Sequence, residues 1–278
     1  KENDINTNPP SINNTKRHST INSKPENSIQ DNIGIKSQNK SYKYHPPTSP
    51  KELRRIQIFK ENESIVENGF YTYKDKITQK KVTKFIKTDL DQSISNTELI
   101  TSNFPLKLDI KPLLKHEKLA LFQKIEVWEA STFCEAIYMK KKVSNKVCVL
   151  NFASALQPGG GCRNGRNAQE EVLSRQSTLY FSLITKNDFY EHNKTFYDHF
   201  GTDYMIYSPN VMIIRDDNDE LIEPVKISVI SAVAVNFSEI KSLYKKGEKD
   251  QVVYEKMKNR CRRILKLCVI KGNDVIIL

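Results

Sequence analysis

Val147-Cys148-Val149-Leu150-Asn151-Phe152 is an apolar run broken by one polar residue, and it constrains the fold more than any other segment. A strand with one wet face alternates apolar and polar residues. A near-continuous apolar run is expected of a strand covered on both faces. Helix patterns lie on either side of it. Ile56, Phe59, Ile65 and Val66 recur at roughly helical spacing after Leu53, with Gly69 as a stop signal. A hairpin-like stretch follows from Tyr71 to Ile86. Ile125 to Trp128 reads as a short strand and Ser131 to Lys142 as a helix with Phe133, Ala136 and Ile137 on one face. Val172, Leu173, Leu179, Tyr180 and Leu183 fit one stripe of a helix starting near Asn167. Met205–Tyr207 and Val211–Ile214 read as two strands, Val225–Val235 as another, Val252–Val269 as a long helix, and Val275–Leu278 as a last strand. Strands alternating with helices predict a layered α/β domain with a mixed central sheet.

The apolar run leads into NFASALQPGGGCRNGRNAQEEVLSRQS, Asn151 to Ser177. Gly159, Gly160 and Gly161 are a third of the nine glycines in the chain. Glycine loses the most backbone freedom on folding, so a triplet implies a need for bare backbone. Leaving the carboxyl end of a buried strand and entering a helix, the loop lies where open α/β sheets bind ligands. Free N–H groups of the glycines could form an anion-binding nest, with Asn167 as N-cap of the following helix. Neither GxxxxGK[ST] nor GxGxxG matches, which argues against a P-loop nucleotidase and a nicotinamide-binding fold. Gln169, Glu170 and Glu171 fall in the first turn of that helix. Acidic first turns commonly only complement the helix dipole. Beside a glycine loop they also suit glycosidic chemistry. Consecutive helical residues point about 100° apart, so one carboxylate can hold a sugar hydroxyl while the other donates a proton. A helix N-terminus favours the ionised form, so a general acid here needs burial or a ligand phosphate to keep its proton.

Composition narrows the rest. The 278 residues carry a formal net charge of +11, which fits a solvated surface or affinity for a polyanion. Eleven Lys or Arg from Lys241 to Lys271 face only Glu248, Asp250 and Glu255. Only Tyr244 and Tyr254 interleave with them, so nucleic acid is not expected as the main ligand. The five cysteines form no CxxC pair, which points to a reducing, intracellular compartment without fixing it as nuclear or cytoplasmic. Cys148 and Cys268 read as core, Cys162 as a tolerated loop residue, and Trp128 as a core aromatic. His116, His192 and His199 lack metal-ligand spacing, so no metal is expected. No apolar run is long enough for a membrane span, and no signal peptide is visible. Residues 1–50, rich in Asn, Ser, Lys and Pro, read as a disordered tail.

NFASALQPGGG, seven residues, QEE and then VLSRQSTLYFSL closely resemble the microbial-type poly(ADP-ribose) glycohydrolases, a branch of the macrodomain superfamily. FKENESIVENGFYTY, TDYMIYSPNVMIIRDD and KISVISAVAVN resemble further segments of that family, so the likeness runs from about Leu53 to Leu278. It implies a macrodomain-like three-layer α/β/α core over 122–278, preceded by an N-terminal helical extension over 51–121. It implies hydrolysis of ribose–ribose bonds in poly(ADP-ribose) or on ADP-ribosylated protein, with no cofactor. Glu171 is implied as the general acid. Glu170 and Gln169 would position the ribose hydroxyls and the catalytic carboxylate. Gly159, Gly160 and Gly161 would line the diphosphate and distal ribose, and Asn151 and Ala153 would border that ribose. The family's second glycine-rich loop is expected after Leu278, so the chain reads as truncated. A non-catalytic ADP-ribose reader is the alternative: it needs the glycines but not Glu171. The basic helix would help attract the polymer, with Arg260, Arg262 and Arg263 as contact residues.

Overall fold

A computed structural model describes residues 47–107, 125–196 and 198–278. The chain divides into two units, Lys1–Tyr44 and His45–Leu278, and every described residue lies in the second. The expected disordered tail falls almost entirely outside the described residues, as does His116. Pro50, at the expected end of the tail, opens a helix.

That helix, α1 (Pro50–Asn68), begins with a capping box. The Ser49 hydroxyl accepts from Glu52 N, and Glu52 reaches back to the Ser49 N–H. It ends at Gly69 with φ of 76°, a left-handed cap. The hairpin β1 (Phe70–Lys74) and β2 (Lys81–Phe85) follows, then α2 (Lys87–Ser95) and β3 (Glu98–Ile100). Beyond the undescribed 108–124, α3 (Thr132–Lys142) leads into β4 (Val147–Ala153). After the glycine loop come α4 (Gln169–Gln176), α5 (Leu179–Leu183) and α6 (Asn187–Thr195). The long pair β5 (Met205–Arg215) and β6 (Leu221–Val233), the short α7 (Phe237–Leu243), α8 (Asp250–Ile270) and β7 (Val275–Ile277) complete the described chain.

The five-stranded sheet has the order β3-β5-β6-β4-β7. β4 is an interior strand between β6 and β7 and runs parallel to both, whereas β5 is antiparallel to β6 and β3 to β5. The mixed sheet is as expected. So is the doubly covered strand. Val147, Val149 and Ala153 join the cluster built by Phe133 of α3, Leu173 of α4 and Leu183 of α5. Cys148 and Leu150 join Ile264, Leu267 and Cys268 of α8 on the other face. This is the three-layer α/β/α arrangement. α1, the hairpin and α2 close a third cluster over Met212 and Ile214 of β5.

Four expectations fail, each for a visible reason. Ile125–Trp128 forms no strand, and Trp128 is 63 % exposed rather than core; its indole N–H donates to Glu126 at 3.0 Å. The two strands around Tyr207 and Ile213 are one strand, β5. Its register shifts between Ser208 and Val211, where Asn210 takes a φ of 55°, so a bulge absorbs Pro209-Asn210 without ending the ladder. The single helix expected from Asn167 breaks at Ser177. There Ser177 bridges to Ile213, and Thr178 exchanges hydrogen bonds with the Met212 backbone at 3.0 Å each. Finally, Arg260 is buried. Its guanidinium donates to Phe200 O at 3.0 Å, Val233 O at 2.8 Å and Gly201 O at 3.2 Å, and pairs with Asp203. Arg263 donates to Thr101 O and Ser102 O. These two arginines fasten α8 to the sheet and its neighbouring loops and are not free for a polymer.

A second buried guanidinium ties the N-terminal extension to the sheet. Arg215, 3 % exposed, donates to Asn62 Oδ1 at 2.9 Å, Glu61 Oε2 at 3.0 Å and Asp219 O at 2.7 Å. Asn62 in turn donates to Arg175 O. Asn62→Ala leaves the Arg215 Nε–H and the Arg175 carbonyl unpaired. Chemical denaturation should show a stability loss of about 1–3 kcal/mol for each orphaned group.

Candidate active site

β7 pairs with β4 only along Val147–Val149, so that edge of β4 is open from Leu150 onward. The Gln169 side chain continues the ladder. Its Nε2 donates to Leu150 O at 2.8 Å, and its Oε1 accepts from Phe152 N at 2.9 Å. A side-chain amide thus stands in for one residue of a missing strand and pins the first turn of α4 to the carboxyl end of β4. Gln169 acts on the backbone and on the placement of its neighbours.

The two glutamates then diverge, as consecutive helical residues must. Glu170, 4 % exposed, is held on both oxygens. Oε2 accepts from Ser154 N at 2.7 Å, and Oε1 accepts from Asn151 Nδ2 at 3.3 Å. Asn151, fully buried on β4, also donates to Ser231 Oγ on β6 at 3.0 Å. Glu171, 8 % exposed, turns to the glycine loop. Its Oε1 accepts from Gly161 N at 2.8 Å, and its Oε2 takes no protein donor among the described residues.

The loop is shaped for this. Gly159 and Gly160 have φ of 65° and 54°, the left-handed region that glycine tolerates. A Cβ on Gly160 would lie 2.6 Å from Glu171 Oε1, and one on Gly159 would lie 2.8 Å from the Tyr180 ring. Bare backbone is required, but not as an open nest. Gly160 N donates to Gln157 O at 3.3 Å and Gly161 N to Glu171. The expectation of free N–H groups fails for these two, because the loop folds on itself and on the carboxylate. What remains is close approach to a surface without side chains.

All eight expected site residues are brought together: Asn151, Ala153, Gly159, Gly160, Gly161, Gln169, Glu170 and Glu171. Ala153 pairs with Val233 of β6, so the loop leaves the sheet at the carboxyl ends of two parallel strands. Asn167 is not the N-cap; Ala168 is, without a side-chain bond. Asn167 Oδ1 accepts from Arg175 Nη2, and Arg175 Nη1 donates to Arg166 O at 2.6 Å. Arg175, 3 % exposed, therefore clamps the loop from below, a role the sequence did not disclose. Its one signal was a lone arginine on the apolar side of a helix. Ser154 and Ser231 were also missed; serines beside strand ends are too common to single out. Cys162 is not a loop bystander. It is 1 % exposed against Phe59 and Tyr180, and burial pushes its thiol up to about 12.

Burial also lifts the Glu170 carboxyl to about 7, against the hydrogen bonds from Ser154 and Asn151, with a smaller push from Glu171. At Glu170 burial outweighs the helix terminus. Between the ordinary carboxyl range and about 7, the folded state binds a proton that the unfolded state lacks. This contribution is full below the unfolded value and is lost as pH rises through about 7. Glu170→Gln should therefore flatten that part of the stability–pH curve. Melts from pH 4 to 9 should show the wild type losing on the order of 3 kcal/mol that the variant does not lose.

No group of three or more His, Cys, Asp or Glu among the described residues is placed to hold a metal ion. No helix among them is long and apolar enough to cross a membrane.

Comparisons with known proteins identify the family. The family described as the microbial-type PARG catalytic domain matches residues 59–216. The poly(ADP-ribose) glycohydrolase of Thermomonospora curvata, solved with the inhibitor ADP-HPD, superposes with a TM-score of 0.68 at 30 % identity, covering 81 % of this chain and 78 % of that one. That of Deinococcus radiodurans, solved with ADP-ribose, gives 0.54 at 34 % identity, covering 64 % and 70 %. Among curated proteins no sequence matches the chain. With the family motif on the expected strand, loop and helix, the chain belongs to the microbial-type poly(ADP-ribose) glycohydrolase catalytic-domain family.

Proposed function

We propose that this chain hydrolyses the ribose–ribose O-glycosidic bonds of poly(ADP-ribose) and releases ADP-ribose, with Glu171 as the general acid. One observation carries the assignment between the two glutamates. Glu170 is tied on both oxygens to the protein, whereas Glu171 has one oxygen fixed by Gly161 N and the other without a protein donor. A proton donor needs a fixed orientation and an open oxygen; an anchor needs neither oxygen open. Glu171 gives its proton to the leaving ribose oxygen, and its carboxylate then takes a proton from the incoming water. Glu170, held by Asn151 and Ser154, positions the catalytic carboxylate, and Asn151 lies at the border of the distal ribose. Gly159–Gly161 admit the diphosphate and distal ribose at backbone distance, and Ala153 borders that ribose. Polymer and ADP-ribosylated protein share the terminal unit this site would take. The five cysteines are unpaired, which fits a reducing, intracellular compartment.

The test compares wild type with Glu171→Gln for ADP-ribose binding by calorimetry and for cleavage of poly(ADP-ribose). The hydrolase reading expects binding by both and release only by wild type. Binding by both with release by neither would make the chain a reader.

A further inference from the structure

The basic stretch after β6 contains one built feature the site does not use. Between α7 and the start of α8 lies a cavity of about 360 Å³ whose wall carries Lys241, Lys245, Lys246 and Lys249. Asp250 is the acidic residue in that wall, and Glu248 lies 3.8 Å from the Lys249 ammonium. The cluster is net positive. Two of the ammoniums are held in place: Lys241 Nζ sits 4.3 Å from the Phe237 ring centroid and Lys249 Nζ 4.8 Å from that of Tyr244. The start of α8 behind them has no side-chain cap, so its first N–H groups add to the positive field.

We propose that this cavity binds phosphate groups of a poly(ADP-ribose) unit beyond the two that flank the scissile bond, while another unit of the same chain occupies the catalytic loop. The proposal rests on the glycohydrolase reading above. Placement favours the polymer. α7 starts just after Val233, the β6 residue paired with Ala153 at the mouth of the glycine loop. A helix of seven residues rises only about 10 Å, so the cavity lies at the same end of the sheet as the catalytic carboxylates. Chemistry disfavours single-stranded nucleic acid. Such binders stack bases on open aromatic faces, and here each ring is capped by an ammonium. The cavity offers charge, not stacking. These lysines, rather than the buried Arg260 or the engaged Arg263, are then the part of this segment that meets a polyanion.

The experiment replaces Lys241, Lys245, Lys246 and Lys249 together by Gln, a change at the surface that should leave the melting temperature in place. Cleavage of long poly(ADP-ribose) is compared with cleavage of the ADP-ribose dimer. Fluorescence anisotropy follows labelled polymer and labelled single-stranded RNA over a salt series. The expected result is a KM for long chains raised about tenfold, an unchanged KM for the dimer, and a salt slope for polymer binding shallower by about 3, at roughly 0.7 per lost phosphate contact. Equal change on both substrates, or no change on either, overturns the proposal. So does a loss of RNA affinity larger than the loss for polymer, which would mark a nucleic-acid site. If wild type cleaves neither substrate, the glycohydrolase reading fails on its own, and the anisotropy arm still decides the lysine site.

Discussion

Glu171→Gln should lower kcat on poly(ADP-ribose) by about 10²–10⁴-fold, the range for losing a positioned general acid, while ADP-ribose binding stays within a few-fold. The glutamine keeps the acceptor for Gly161 N, so the loop geometry survives. What it removes is the transferable proton. Single-turnover assays separate this from slow product release. Glu170→Gln should behave differently. An amide oxygen can still accept from Ser154 N, and a neutral side chain resembles the protonated acid that burial favours below about 7. Near pH 6 that variant should retain far more activity than Glu171→Gln. Equal losses for the two variants would contradict the division of roles.

Gly160→Ala should be nearly as damaging, for a steric reason. The new Cβ would sit 2.6 Å from Glu171 Oε1 and 3.2 Å from Glu170 Oε2, on a residue with φ of 54°. The backbone strain alone costs about 1–3 kcal/mol. Relief comes by moving the loop and the carboxylates apart, and a misplacement near 1 Å lowers the rate by about 10²-fold. Gly272→Ala is the control. Its φ is 72°, but no atom lies within 4 Å of the added carbon. It should show the strain in a melting curve and leave kcat unchanged. If Gly160→Ala loses stability but not activity, the fit between loop and acid is not what the glycine serves.

The candidate site was legible in the sequence because its pieces are local. One strand, one loop and one helical turn carry the eight expected residues, and composition and spacing mark all three. β4 announced its two covered faces, and Gly69 announced the end of α1. What was hidden depends on contacts between elements. Arg175 matters because it reaches Arg166 O and Asn167, and Ser231 because β6 lies beside β4. Neither contact leaves a trace in local pattern. The break between α4 and α5 comes from Thr178 binding Met212 of β5, so apolar spacing that reads as one helix folds as two. The bulge at Pro209-Asn210 misled in the opposite direction, since a turn-like dipeptide interrupts β5 without ending it. Trp128 shows the weakness of composition alone: a large aromatic predicts burial, and this one is mostly exposed.

Product identity shows most directly which bond is cut. Purified chain is incubated with poly(ADP-ribose) in ¹⁸O-labelled water, and the products are resolved by chromatography and mass spectrometry. Cleavage between riboses gives ADP-ribose with one labelled oxygen on the released sugar. Cleavage of the pyrophosphate would give phosphoribosyl-AMP, with the label on phosphate. The first product, present with wild type and lost with Glu171→Gln, is the result predicted. The second product, or no product beside retained ADP-ribose binding, would contradict the assignment of Glu171 as a glycosidic acid.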